Sequence, residues 1–289
     1  MSFTFPGLGG VPFFSVIKFF ITRLQKETIT MRSSAIAFSF FLALFPSLIF
    51  LFTLIPYLPI DNLHQEVMGL LEEFLPDSAY ETIQTTTSDI LSNKRGNLLS
   101  FGFIMTIYFS SNGIITLLTA FNRNLKRSFV KRYFIGIYLT FVLAILIIIA
   151  VTFQVGGEIV IGFFKDSGFF GQGNWVIRFI WFFKLMITML LSITAISILY
   201  FYGSEKHERF TFYSPGAFVA TILIGVVSYG FGYYVENFAQ YNKFFGSIGA
   251  IIVIMIWLNL SAMSLISGYE FNQSIFRIKN NKQRKAKDW

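Results

Sequence analysis

SSAIAFSFFLALFPSLIFLFTLIPYLPI, residues 33–60, runs for 28 residues without an Asp, Glu, Lys or Arg. About 20 apolar residues suffice for a helix to cross roughly 30 Å of hydrocarbon. Five more charge-free stretches follow, at 96–122, 133–157, 185–204, 210–235 and 244–269, and the shortest of them still holds 20 residues. A backbone crossing lipid must satisfy its own N–H and C=O groups, which long helices do. The expected fold class is therefore all-α: a polytopic membrane protein with six transmembrane helices.

The totals agree with that frame. Only 13% of the 289 residues are charged and 38 are Phe, whereas soluble chains carry about 25% charged residues. The chain is expected to form one membrane domain, with spans at about 33–60, 97–122, 133–163, 175–203, 211–236 and 244–269. An N-terminal basic region leading into a short apolar core and cleavage site is not seen, so no removable signal peptide is expected. With no cysteine and only two histidines, His64 and His207 in different loops, the sequence offers no thiolate or histidine-rich metal site and implies no cofactor.

Charge sets the expected orientation. Assigning the loops alternately to two sides places 17 of the 23 Lys and Arg with the N-terminus, 123–132, 203–209 and the basic tail 270–289. Basic residues are retained inside, so both termini are expected in the cytoplasm. The loop 61–96 then faces outward and is strongly acidic. The net charge of +8 thus reads as a topology signal, with attraction to anionic membrane lipids secondary. Nucleic-acid binding is not expected, because no basic patch interleaves with stacking aromatics outside the spans.

Two flanking elements are amphipathic. Phe13, Val16, Ile17, Phe20 and Leu24 recur at helical spacing, predicting an interfacial helix over 12–30. In the outer loop, Leu63, Val67, Leu70, Leu71, Phe74 and Leu75 form one apolar face. Pro76 breaks it, and Ser78-x-x-Glu81 has capping-box spacing for a second helix. These two outer helices are expected to lie over the bundle as a lid or to dock an envelope protein.

The candidate chemistry is intramembrane polarity, which is costly and by default functional. Lys184 falls deep within the fourth span and Arg178 nearer its start. Glu158 lies near the outer end of the third span, at the expected depth of Arg178, and Gln154 one turn deeper. One carboxylate against two bases favours an anion, so Lys184, Arg178, Glu158 and Gln154 form the candidate substrate site, with Asn112 and Asn259 as further polar positions. The alternative is an ion pair holding two helices in register. Pro46, Gly113, Gly225 and Gly246 are the expected hinge or helix-contact positions. Glu270 reads as an interfacial group.

Several stretches carry a family resemblance: Ser33-Ser-Ala-Ile-Ala-Phe38, Leu44-Phe-Pro-Ser47, Tyr213-Ser-Pro-Gly-Ala217, Tyr241-Asn-Lys-Phe-Phe-Gly-Ser-Ile-Gly-Ala250 and Gly268-Tyr-Glu-Phe-Asn272. In order and spacing the chain resembles the YihY/virulence factor BrkB family. The resemblance implies a six-helix bacterial inner-membrane protein. Some members carry a ribonuclease label, which these residues do not support: ribonuclease chemistry needs metal-holding carboxylates or a His/Lys pair in a wet groove. The expected function is non-enzymatic: a transporter or flippase of an anionic or amphipathic substrate, a lipid or envelope precursor. The alternatives are a cation/proton antiporter using Glu158 or Glu236, and an envelope scaffold acting through 61–96. Membrane lipids are the expected partners, and a homo-oligomer is compatible with the Phe-rich surface.

Overall fold

The computed structural model describes residues 29–57, 95–122, 128–166, 175–204, 213–237 and 242–287. They form six helices: α1 (Ile29–Leu54, followed by a 3-10 turn Ile55–Tyr57), α2 (Gly96–Phe121), α3 (Phe129–Asp166), α4 (Trp175–Gly203), α5 (Pro215–Asn237) and α6 (Asn242–Lys287). All six are long and apolar enough to span a membrane, and no strand occurs among the described residues. The all-α polytopic expectation holds. The interfacial helix proposed for 12–30, apart from its last two residues, and most of the outer loop lie outside the described residues.

Boundaries differ from expectation where charge ends an apolar run without ending the helix. α1 begins at Ile29, so Arg32 belongs to its first turn. α6 continues 18 residues past Tyr269, because Gln, Arg, Lys and Ala there are strong helix formers and no Gly or Pro interrupts them. α1 runs through Pro46 without interruption. The turn that lacks the proline N–H also carries a back-bond from Ser47 Oγ to the Ala43 carbonyl, 2.6 Å.

The buried core lies at one end of the bundle. It gathers Ile29 and Ile36 from α1, Ile114 to Phe121 from α2, Leu139 from α3, Ile196 to Tyr200 from α4, Ala217 and Ala220 from α5, and Ala262 to Tyr269 from α6. In each helix these positions fall toward the end next to the basic loops. Phe121, Tyr200 and Tyr269 form its centre: the Phe121 ring stacks on Tyr269 at 4.7 Å, and Tyr200 meets both edge-on at 5.2 and 5.6 Å. Such pairs add about 0.5–1.5 kcal/mol each beyond buried area. We refer to this as the closed end.

Toward the other end, contacts within the sequential pairs α1/α2, α3/α4 and α5/α6 can be named. In α1/α2, Phe50 meets Phe103 at 5.4 Å, and Gly102 lets the Phe50 backbone approach to 3.1 Å of where a Cβ would sit. In α5/α6, Trp257 Nε1 donates to Ser228 Oγ, 3.3 Å. The α3/α4 hairpin carries the polar groups described below. Hydrogen bonds between different hairpins, such as Ser111–Thr140, Arg132–Thr119 and Tyr200–Leu265, run from mid-bundle to the closed end.

The α5–α6 crossing rests on glycine. A Cβ on Gly268 would fall on the Gly216 carbonyl oxygen and within 2.7 Å of Ala220 Cβ. Because the obstruction is backbone, no rotamer change relieves it. Gly268→Ala is expected to cost about 1–3 kcal/mol, the usual cost of overpacking, read as a lowered thermal midpoint of the detergent-purified protein. Gly225 contrasts with it: nothing lies within 4 Å of its Cβ position. The expected contact at Gly225 is therefore replaced by the Gly216–Gly268 crossing, and Gly225→Ala is expected to leave the midpoint unchanged. Gly113 does lie in a contact, its Cβ position 3.5 Å from the Phe40 ring. Gly246 lies within α6, in a part whose side chains are outside the described set.

Candidate functional site

The α3/α4 hairpin brings together three of the four expected cluster residues. Lys184 projects across Gly157, where a Cβ would come within 2.9 Å of its Cγ. Its Nζ donates to Glu158 Oε1. The lysine side chain is 12% exposed and the carboxylate 64%, so the cation is held within the hairpin while its anion faces outward. One turn deeper, Gln154 Nε2 donates to Thr188 Oγ1 at 2.7 Å, and that hydroxyl donates to the Lys184 carbonyl at 2.9 Å. Lys184 therefore sits on a positioned scaffold.

Arg178 does not join this group. It is exposed, and among the described residues no ion pair or hydrogen bond links it to Glu158. Lys184 holds that carboxylate instead. The six residues from Arg178 to Lys184 turn a helix by about 600°, so similar depth does not mean a shared face. The core of the cluster is a neutral pair, and the excess positive charge lies apart from it on Arg178.

Asn112 and Asn259 belong elsewhere. The Asn112 carbonyl accepts from Thr116 Oγ1 at 2.9 Å, and that hydroxyl receives Ser39 Oγ at 3.3 Å. Asn259 bridges α6 to α1, donating to Ser34 Oγ at 2.9 Å and accepting from Ser33 Oγ at 3.4 Å. The latter is interhelical bonding of the kind that positions membrane helices. Neither is tied by a described bond to Lys184.

A second polar centre, not anticipated as one, lies at the closed end. Arg32 Nη1 donates to the Ala120 carbonyl at 2.7 Å, and Nη1 and Nη2 both reach Glu270 Oε1 at 3.3 Å. Both side chains are buried, at 7% and 2% exposed. Ala120 lies in the last turn of α2, where carbonyls lack helical partners and the helix dipole is negative; Arg32 satisfies that end while pairing α1 with α6.

Beside it, Asn272 Oδ1 accepts from Gly216 N and Asn272 Nδ2 donates to Ser214 Oγ, each at 2.7 Å. Ser214 Oγ accepts from Ala217 N at 3.3 Å. Ser214 is thus the N-cap of α5, with Pro215 at the first helical position and Asn272 satisfying the next free N–H. Tyr200 donates to the Leu265 carbonyl at 2.7 Å and Tyr269 to that of Gly203 at 3.3 Å. The stretches 213–217 and 268–272 therefore meet in one junction.

The family model for virulence factor BrkB matches residues 20–289. The chain belongs to the virulence factor BrkB family. A BrkB-family relative from Bacillus subtilis (strain 168), named as a ribonuclease-like protein, YfkH, is 33% identical over 269 residues, covering 92% of this chain and 96% of the relative. UPF0761 membrane proteins of Xanthomonas campestris pv. campestris (strain B100) and Xanthomonas axonopodis pv. citri (strain 306) are each 29% identical over 104 residues, covering 36% of this chain and 24% of their own length. No solved structure matches. This BrkB-family chain is an integral membrane protein, and the closed-end junction is built from the stretches that carried the resemblance.

Proposed function

We propose that this protein translocates amphipathic molecules with an anionic head group, a membrane lipid or an envelope precursor, across a bacterial inner membrane, with both its termini in the cytoplasm. One observation carries the reading. Lys184 is held inside the α3/α4 hairpin by an outward-facing carboxylate.

An anionic head group that displaces Glu158 from Lys184 exchanges one negative partner for another. No unpaired charge is buried in the exchange, which is the main cost of moving ions into a low-dielectric site. Acyl chains stay in lipid along the exposed faces of Phe179, Phe182 and Phe183. Exposed Arg178 raises the local concentration of anions. The reading is non-enzymatic: the ion pairs found among the described residues, Glu158–Lys184 and Arg32–Glu270, lie at different depths and do not converge on one reacting atom.

The test is translocation in vesicles reconstituted with the purified protein, using labelled phosphatidylglycerol and phosphatidylethanolamine. Faster movement of the anionic lipid, above protein-free vesicles, is expected; background rates for both overturn the reading. Glu158→Gln removes the competing anion while keeping the side chain's shape. An exposed pair is worth about 0.2–1 kcal/mol, so half-saturation by the anionic lipid is expected to fall by up to about fivefold.

A further inference from the structure

We infer that Arg32 and Glu270 form the latch that shuts the closed end, and that its release opens the bundle to the side opposite the Lys184 site. The inference rests on the translocation reading, since a carrier must admit its substrate from one side and release it to the other. It adds the element that separates those two states.

Arg32 joins the first hairpin to the third through charge. One of its nitrogens holds the end of α2 at Ala120, and both reach Glu270 on α6. Asn259 reinforces the same α1–α6 seam through Ser33 and Ser34, and the Phe121–Tyr200–Tyr269 ring cluster fills the space beside it. A buried ion pair is a poor means of stabilising a core, because desolvating two charges offsets their attraction, and apolar residues of similar volume do as well or better. What such a pair supplies is two discrete arrangements: closed and paired, or open with each charge in water. Hydrophobic contacts alone give no comparable reward to the open arrangement.

The chain has no cysteine, which makes the test direct. Ala262 is 3% exposed in the closed-end core, about 12 Å behind Glu270 along α6 at 1.5 Å per residue. A single Ala262→Cys substitution is reconstituted in vesicles and treated with a membrane-impermeant maleimide from the Arg32–Glu270 side. Slow labelling is expected with the latch intact. Glu270→Gln in that background is expected to raise the labelling rate by about tenfold or more, equivalent to about 1.4 kcal/mol. The paired apolar substitution Arg32→Met with Glu270→Leu is expected to restore protection, since neither charge is then left without the other.

A single Thr53→Cys, at a position buried near the far end of α1, reports the fold away from the latch. Faster labelling at 262 with position 53 still protected supports the latch. Unchanged labelling overturns it. Faster labelling at both positions also overturns it, marking the pair as a folding requirement. Labelling does not depend on transport: background lipid movement in the unsubstituted protein sinks the translocation reading, whereas a failed latch with active transport sinks only this inference.

Discussion

Glu270→Ala is expected to destabilise the protein by about 3–5 kcal/mol, because it breaks a buried ion pair by removing one partner. The measurement is thermal or denaturant unfolding in detergent. The decisive comparison is the double substitution Arg32→Met with Glu270→Leu. Removing both charges removes both desolvation costs but takes the Arg32 donor from the Ala120 carbonyl, so stability is expected to return to within about 1–3 kcal/mol of the natural protein. A pair that served only as a structural staple would give the double variant the same recovered stability with unimpaired transport. If it is the latch, the double variant is stable, stays closed and translocates poorly. High stability with full transport would remove the ion pair from the mechanism.

Lys184→Ala is expected to abolish head-group-selective translocation. A hydrogen bond to a charged group is worth about 1.5–3 kcal/mol, so the loss ranges from about tenfold to more than one hundredfold. Stability should change little, since the abandoned partner, Glu158, is 64% exposed and can be solvated. Gly157→Ala supplies the finer test. It keeps the lysine but puts a methyl group where Lys184 Cγ now lies, within 2.9 Å. The flexible chain can swing aside, so the protein is expected to accumulate normally with a rate between those of the natural protein and Lys184→Ala. A natural rate in Lys184→Ala, at equal abundance, would return the Lys184–Glu158 pair to a role in helix register.

The sequence made the six helices legible because each charge-free run was long enough to cross the hydrocarbon core of a bilayer, a criterion that needs no tertiary information. It placed Lys184, Glu158 and Gln154 together because depth along antiparallel helices can be counted from their ends. It misplaced Arg178 because depth does not give azimuth, and six residues carry a side chain to another face. The Arg32–Glu270 pair escaped for a different reason. Each residue flanks a charge-free run, Arg32 just before Ser33 and Glu270 just after Tyr269, so each read as a loop charge. Their meeting depends on α1 and α6 packing together across 238 positions of sequence, which no local periodicity encodes. A signal existed: Ser33 and Glu270 both lay within the stretches that carried the family resemblance.

The length of α6 gives the Gly216–Gly268 crossing a mechanical meaning. From Gly268 the helix extends 19 residues to Lys287, about 28 Å at 1.5 Å per residue. With two glycines touching at backbone distance, that crossing is a fulcrum, and the basic segment 277–287 is one arm of a lever. A tilt of about 10° there would carry the tip through about 5 Å over that length, while the opposite arm shifts Trp257 against Ser228. Force applied to the basic arm, by a charged surface or a bound protein, would therefore be felt inside the membrane.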